Sequence, residues 1–279
     1  MGKIGPGGNW LWAERLGGSS SSDYCYDIDV DDGGNISITG SFYNSANFGS
    51  STYLSSYGSQ DIFVAKLDTN GSWLWAMRAG SSSSDYGKGV AMDGNGNVYI
   101  TGHYYGTCYF GGNTLSHYSW DDWFVAKLDT NGNWVWSKRI YGNYYDYGYG
   151  IDVNDNGDIA VVGASSYDIY LDGIGWIYPN YRSSSYRHIF VALLSSSGNF
   201  MSGKYLESQT SYESYGEDVV IDDQGVVTIV GRMYYRLYFQ NQWKYSNGGS
   251  GWDCFVATYA SGLNEMSFLS IGGSSTDYC

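Results

Sequence analysis

The apolar residues of this chain fall in short stretches that alternate with small or polar positions and are separated by clusters of Gly, Asn, Asp and Ser. One run shows the pattern. Asp85-Tyr86-Gly87-Lys88-Gly89-Val90-Ala91-Met92 is followed by Asp93-Gly94-Asn95-Gly96-Asn97, then by Val98-Tyr99-Ile100-Thr101-Gly102. After a longer variable stretch come Trp123 to Leu128, the turn Asp129-Thr130-Asn131-Gly132, and Asn133-Trp134-Val135-Trp136-Ser137-Lys138-Arg139. Asn-Gly between two such runs marks a hairpin, because tight turns need the positive φ that Gly and Asn tolerate. The pattern predicts four antiparallel strands, with the variable stretch between the second and third. Apolar residues on both faces of Trp134-Val135-Trp136 predict a fourth strand covered on both sides or shielded by aromatics.

This unit recurs. Ile62-Phe63-Val64-Ala65-Lys66-Leu67-Asp68 returns as Trp123 to Asp129, and more loosely as Ile189 to Leu194 and Cys254 to Tyr259. Phe63, Phe124, Phe190 and Phe255 follow one another at steps of 61, 66 and 65 residues, and Gly40, Gly102, Gly163 and Gly231 keep a similar step. Four copies of a four-strand unit predict an all-β fold: a single β-propeller domain over 1–279, built from four tandem four-stranded blades. The units run approximately 9–70, 71–131, 132–197 and 198–262, with a partial fifth over 263–279.

Gly-Asn-Val-Tyr-Ile-Thr-Gly (96–102), Phe110-Gly111 and the Asp-(Ile/Trp)-Phe-Val-Ala-Lys-Leu-Asp runs together resemble the bacterial SBBP β-propeller repeat. The likeness is strong in the first two units. The third has Leu171-Asp172 in place of Phe-Gly, and the fourth replaces Lys-Leu with Thr258-Tyr259. The resemblance implies a propeller fold and a place in secreted or cell-surface proteins, with no defined activity.

The ends are out of step with a simple ring. Met1 to Gly8 aligns with Val64 to Gly71, and Ser274 to Cys279 matches Ser21 to Cys25. That leaves four copies of the first three strands and a surplus outer strand. A cut from a longer array, a ring with one strand displaced, and a strand handed to a neighbouring subunit all fit this register.

Composition narrows the function. With 14 basic and 28 acidic residues the net charge is −14, which repels phosphate backbones and anionic lipid and argues against nucleic-acid partners. No apolar run is long enough for a membrane helix, so membrane insertion is not expected. The N-terminus carries no signal-peptide core, so the signal of an extracellular or surface protein would lie outside this chain. The 40 Gly and 30 Tyr, with 18% aromatic residues, predict short aromatic-rich strands and tight turns.

Four cysteines and three histidines predict neither a disulfide framework nor a zinc site, and no cofactor is called for. Cys25 and Cys279 hold equivalent repeat positions and could pair where the ends meet, whereas Cys108 and Cys254 read as small core residues. The acidic turns, such as Asp152-Val153-Asn154-Asp155-Asn156-Gly157, superficially resemble calcium loops. The bidentate acid is missing, and plain turns explain them. Asn35-Ile36-Ser37 and Asn70-Gly71-Ser72 are short glycosylation sequons at hairpin turns.

Catalysis needs a poised nucleophile or acid–base pair, and no enzyme site is expected. Asp121 and Asp122 beside Trp120 are the best carboxylates, but an Asp before the third strand recurs and reads as structural. The variable stretches 41–60, 103–121, 164–188 and 232–252 are the candidate recognition surface. They hold Tyr104, Tyr105, Trp120, Trp176, Tyr181, Tyr234, Tyr235, Trp243 and Trp252. Rigid aromatics among small polar residues suit sugar rings and protein ligands, although these same rings can simply pack between blades. The sequence therefore predicts a non-enzymatic extracellular or cell-surface binding module whose partner is a glycan or a protein. The alternative is a self-associating structural subunit of a larger ring or filament, joined by blade or strand exchange.

Overall fold

A computed structural model of the chain describes residues 1–18, 22–49, 52–181, 186–208, 213–247, 251–273 and 275–277. Among them there is no helix, and the strands pair antiparallel. Contacts group the chain into two compact units, 1–117 with 126–137 and 118–125 with 138–279. In the first unit lie a leading hairpin (Gly2–Ile4, Trp10–Ala13) and a first repeat sheet of Tyr24–Val30, Ile36–Phe48, Thr52–Leu67 and Trp73–Ala79. The second repeat consists of Tyr86–Met92, Val98–Tyr104, Asp122–Leu128 and Trp134–Gly142, its last two strands divided between the units. In the second unit lie the third repeat (Asp146–Val153, Ile159–Ser165, His188–Leu194, Phe200–Ser208) and the fourth (Ser214–Ile221, Val227–Tyr234, Trp252–Ala260, Asn264–Ile271).

Each first strand is bulged at one place. The register slips between Cys25 and Asp27, Gly87 and Gly89, Gly148 and Gly150, and Gly216 and Asp218. The extra residue is Tyr26, Lys88, Tyr149 or Glu217. A bulge twists the strand and re-aims its side chains. Here it also pushes a carbonyl down onto the second strand, where only glycine fits. A Cβ on Gly40, Gly163 or Gly231 would overlap the carbonyl oxygen of Tyr24, Tyr147 or Tyr215. Those glycines sit directly across from Phe63, Phe190 and Phe255 of the third strand, and the bare backbone is covered by an aromatic ring. The Cβ would lie 2.7 Å from the Phe63 ring and 2.9 Å from that of Phe255. The recurring Gly and Phe of the sequence are thus one cross-strand pair beneath one bulge.

Glycines also set the approach between neighbouring sheets. A Cβ on Gly150 would stand 2.8 Å from the Cα of Asp218, and one on Gly87 3.0 Å from the Ile62 side chain. Carboxylates bridge the same gap. Asp27 and Asp29 accept the backbone N–H groups of Val90 and Met92 at 2.8 and 2.7 Å, and Asp152 accepts that of Ile221 at 2.7 Å. The fourth strands join in through tryptophan: the indole N–H of Trp75 donates to the Thr130 carbonyl at 3.0 Å. In the second unit, Val162, Ile189 and Leu206 of the third repeat form one buried cluster with Ile229, Phe255 and Tyr259 of the fourth.

The acidic turns are closed by their own side chains. Asp68 accepts the N–H groups of Asn70 and Ser72, both at 2.8 Å, and Asp129 accepts those of Asn131 and Asn133, both at 2.9 Å. Asn154 and Asp222 do the same. These hydrogen bonds from turn N–H and amide groups hold the Asp68 and Asp129 carboxyls below their usual range. This is the Asx-turn chemistry that the Asp-x-Asn-Gly pattern suggested.

The variable stretches are more regular than their sequence. Cys108–Phe110 pairs with Asn113–Leu115, Ile169–Leu171 with Gly175–Ile177, and Arg236–Phe239 with Gln242–Tyr245. Each hairpin reaches back to the fourth strand of the preceding repeat, as in Tyr141 opposite Tyr170, Glu207 opposite Tyr238, and the bridge between Gly80 and Tyr109. The Phe-Gly motif is the hairpin turn. Gly49 and Gly111 have φ of 71° and 59°, and Phe48 and Phe110 turn inward against Trp73 and Trp134, with ring centroids 5.3 and 5.1 Å apart.

Gly231→Ala should cost about 2–4 kcal/mol, because a backbone carbonyl and a ring must both give way. Gly112→Ala, with no atom within 4 Å of the new methyl, should stay within about 0.5 kcal/mol. Urea titration of the two variants measures the contrast; equal midpoints would refute the packing account.

Candidate binding surfaces

The first strand carries Tyr as its first or second residue in every repeat: Tyr24, Tyr86, Tyr147 and Tyr215. Alternation along a strand puts residues two apart on one face, and the bulge then aims the next side chain toward the neighbouring sheet. In the second unit these positions build a run of rings. Tyr145, Tyr147 and Tyr149 lie nearly parallel, with centroids 5.9 and 6.3 Å apart and interplanar angles of 8° and 20°. Exposed Trp120 continues the run from Tyr145 at 5.4 Å. On the other side Tyr149 meets Tyr215 at 6.2 Å, Tyr215 meets Trp252 at 5.8 Å, and Trp252 meets Tyr234 at 5.6 Å.

Two arginines lie on these rings, and each has its own carboxylate. The Arg187 guanidinium is 4.8 Å from the Tyr147 centroid, donates to the Tyr215 hydroxyl at 3.1 Å and faces Glu213 at 3.6 Å. Burial works to lower the Arg187 pKa, but Tyr215, Glu213 and the other phenols outweigh it and the net shift is upward. Arg232 is 4.7 Å from the Tyr215 centroid and 2.7 Å from Glu217. The Tyr147 hydroxyl donates to Asp121 at 3.0 Å; burial first, and then that carboxylate, push its phenol well above the usual range. The surface is aromatic and rich in hydrogen-bonding groups, and each of its two arginines is paired with a glutamate.

The sequence candidates separate into several groups. Trp120, Tyr234 and Trp252 belong to the ring run. Trp176 packs with Tyr118, Tyr141 and Tyr170 at 6.4, 6.2 and 5.4 Å, with Arg139 lying 3.6 Å over Tyr141. Trp243 packs between Tyr181 and Tyr238, at 5.7 and 5.3 Å, under Arg236. Tyr235 has a φ of 67° and meets Tyr245. Tyr105 stands against His117 at 4.8 Å.

Tyr104 is a correction. It is fully buried with its hydroxyl on the Ser116 carbonyl, because the second strand continues past Gly102 and carries it into the core. The pairing of Cys25 with Cys279 is another. Cys25 is a free, exposed thiol on the first strand, Cys279 lies outside the described residues, and among the described residues it is Cys254 that is disulfide-bonded. The acids Asp121 and Asp122 are divided: Asp122 is buried, accepting the Tyr118 N–H at 2.9 Å near Arg139, while Asp121 holds Tyr147.

The residues that sequence reading missed are Tyr145, Tyr147, Tyr149, Tyr215, Arg187 and Arg232. The recurring Tyr-Gly at the start of the first strand was the available signal, but it was read as strand and not as surface. The first unit holds a related cluster. Tyr24 and Tyr26 stack at 5.9 Å, and the Lys88 ammonium lies 3.4 Å over Tyr26, with burial pushing its pKa down to about 8.

Residues 11–41 and 74–103 match the model of the SBBP β-propeller repeat. Both segments run from a fourth strand through the bulged first strand and end one residue past the landmark glycine, Gly40 or Gly102. These two segments are SBBP β-propeller repeats. An uncharacterized WD repeat-containing protein of Acanthamoeba polyphaga mimivirus is 26% identical over 152 residues, covering 49% of this chain. The chain spans 11% of that protein's length. A protein of unknown function from Bacteroides caccae, solved as a crystal structure, aligns over 95% of this chain and 86% of its own with a TM-score of 0.42 and 9% identity.

Buried carboxylates hold the links and variable stretches against the strands of their own repeats. Asp85 accepts the Ser81 N–H at 2.6 Å and the Tyr105 N–H at 3.1 Å, and burial pushes its pKa up to about 7. Burial likewise raises Asp61 to about 6 although the Tyr57 N–H and Arg78 oppose it. The folded state therefore holds these protons more tightly than the unfolded chain. Their contribution to stability is full below about pH 4 and is lost as the pH climbs through 6 and 7. The melting temperature should fall between pH 5 and pH 8, and Asp85→Asn should flatten that fall. An identical slope in the variant would contradict the assignment.

Proposed function

We propose that this chain is a non-enzymatic binding module of a secreted or cell-surface protein, with four SBBP repeats as blades of one propeller and the ring run of the second unit as its recognition surface. The carrying observation is the stretch from Trp120 through Tyr145, Tyr147 and Tyr149 to Tyr215 and Trp252, with both of its arginines already paired to glutamates. Ring faces take the apolar face of a sugar, and the paired Arg and Glu groups, with phenol hydroxyls, meet its hydroxyls. Because no charge is left over on the two arginines, a neutral glycan is a better match than an acidic one, and a protein ligand ranks second. The rings are held by strand and sheet packing, so little ordering entropy is lost on binding. No acid on this surface is free for proton transfer: Asp121 is engaged by Tyr147, Glu213 by Arg187 and Tyr215, and Glu217 by Arg232.

Affinity electrophoresis in gels containing neutral polysaccharides tests the reading. Retardation should change little with salt and should fall about tenfold or more in Trp120→Ala and Tyr215→Ala. No retardation by any neutral glycan, or retardation indifferent to both substitutions, would count against it.

A further inference from the structure

The two glycosylation sequons fold differently. A sequon works through two side chains, the Asn amide that takes the sugar and the hydroxyl two residues on, and both must be reached from a surface loop. In Asn35-Ile36-Ser37 neither is open. The Asn35 amide donates to both carboxylate oxygens of Asp31, at 3.2 and 3.0 Å, and Ser37 is buried with its hydroxyl donating to the Met92 sulfur at 2.9 Å. Asn70-Gly71-Ser72 forms the turn between the third and fourth strands of the first repeat, and there Asn70 and Ser72 are both exposed. Gly71, with a φ of 86°, donates its N–H to the Asp68 carbonyl at 3.0 Å. Asn70 and Ser72 bind the Asp68 carboxylate through their backbone N–H groups. Their side chains add to the lowering of that carboxyl from the surface.

The neighbouring repeats show that this turn has no need of a hydroxyl. The residues equivalent to Ser72 in the second and third repeats are Asn133 and Asn199. Their amides close the turns, on Asp129 at 2.8 Å and on Ser197 at 3.0 Å. Ser72 puts a short hydroxyl where those turns carry a closing amide, and that exchange is what completes the sequon.

Beside Asn70 lies a hollow of about 380 Å³, lined also by Glu14, Phe48, Ser72 and Trp73. Small-molecule sites span about 300–1,000 Å³, so this one has room for a single sugar. The Trp73 indole N–H is buried without a hydrogen-bond partner among the described residues, whereas those of Trp12 and Trp75 donate to the carbonyls of Thr69 and Thr130. A buried donor left unpaired is costly, and a sugar oxygen would satisfy it.

We propose that Asn70 is an N-glycosylation acceptor whose first sugar, an N-acetylhexosamine, sits in this hollow against Trp73. The proposal rests on the secreted or cell-surface reading, because the sugar donor, a polyprenyl-pyrophosphate-linked oligosaccharide, is met along that route. The Asn70 amide nitrogen bonds to C1 of the donor sugar and gives up one proton. The pyrophosphate oxygen leaves with the electron pair of the broken C1–O bond. Trp73 then donates to the sugar, the Glu14 carboxylate accepts from its hydroxyls, and the rest of the glycan stands in solvent.

For the test, the intact chain is directed through a eukaryotic secretory pathway by an added signal and collected from the medium. Digestion with a peptide N-glycosidase turns a glycan-bearing Asn into Asp, which peptide mass spectrometry locates. Asn70 should be glycosylated and Asn35 bare. Ser72→Asn, which gives the first repeat the turn of the second and so keeps the fold, should abolish the modification, and Asn70→Gln should do the same. With the glycan trimmed to its first sugar, the sugar protons should show Overhauser contacts to the Trp73 ring. Secreted protein without sugar on Asn70, a glycan on Asn35 in its place, or modification that survives Ser72→Asn would overturn the proposal. A first sugar without contacts to Trp73 would overturn it as well. If the targeted chain is modified and the protein from its own cells is bare, the acceptor assignment is upheld and the secreted or cell-surface reading fails.

Discussion

The contact on which the repeat depends is a carbonyl group lying on a glycine. In the first, third and fourth repeats the bulge lowers the carbonyl of Tyr24, Tyr147 or Tyr215 onto Gly40, Gly163 or Gly231, and the opposite phenylalanine closes the gap from the third strand. Three strands are thereby locked in register by one residue each. A side chain at the glycine would lift the bulge, and the bulge is what aims Tyr26, Lys88 and Tyr149 toward the neighbouring sheet. Backbone sterics at one position thus decide where the aromatic and charged groups of the surface stand.

The same economy governs the join between sheets. First strands approach so closely that Gly87, Gly150 and Gly216 leave no room for a methyl group. That approach would strand backbone N–H groups at a sheet edge, a costly state when buried. Asp27, Asp29 and Asp152 answer it by accepting those groups across the gap. Carboxylates of the same strand cap N–H groups as well, as Asp27 and Asp29 do for Ile28 and Val30 and Asp218 does for Val219. A chain this acidic thus uses some of its carboxylates as backbone acceptors between sheets and others to close turns.

Much of this was legible from spacing. The four-strand unit, its turns and the landmark Phe and Gly residues follow from local alternation and turn chemistry, which leave a direct imprint on residue order. The bulge did not, because an extra residue in Tyr86-Gly87-Lys88-Gly89 looks like ordinary alternation until the partner strand is known. The hairpins at Phe48-Gly49 and Phe110-Gly111 were marked by a recurring motif whose role, a turn pinned under Trp73 or Trp134, depends on contacts distant in sequence. The aromatic candidates were chosen by composition. Composition found Trp120 and Trp252, admitted the buried Tyr104, and passed over Tyr147 and Tyr215 on a strand that read as scaffold. Equivalent repeat positions likewise suggested Cys25 as a disulfide partner, whereas its thiol is free.

The most direct test of the glycine–bulge–phenylalanine contact is the proton chemical shift of the glycine methylenes. With Phe63, Phe190 and Phe255 facing Gly40, Gly163 and Gly231, one α-proton of each glycine should be moved strongly upfield by ring current and should show Overhauser contacts to that ring. Alpha-proton shifts at ordinary strand values, without ring contacts, would contradict the packing on which this structural account rests.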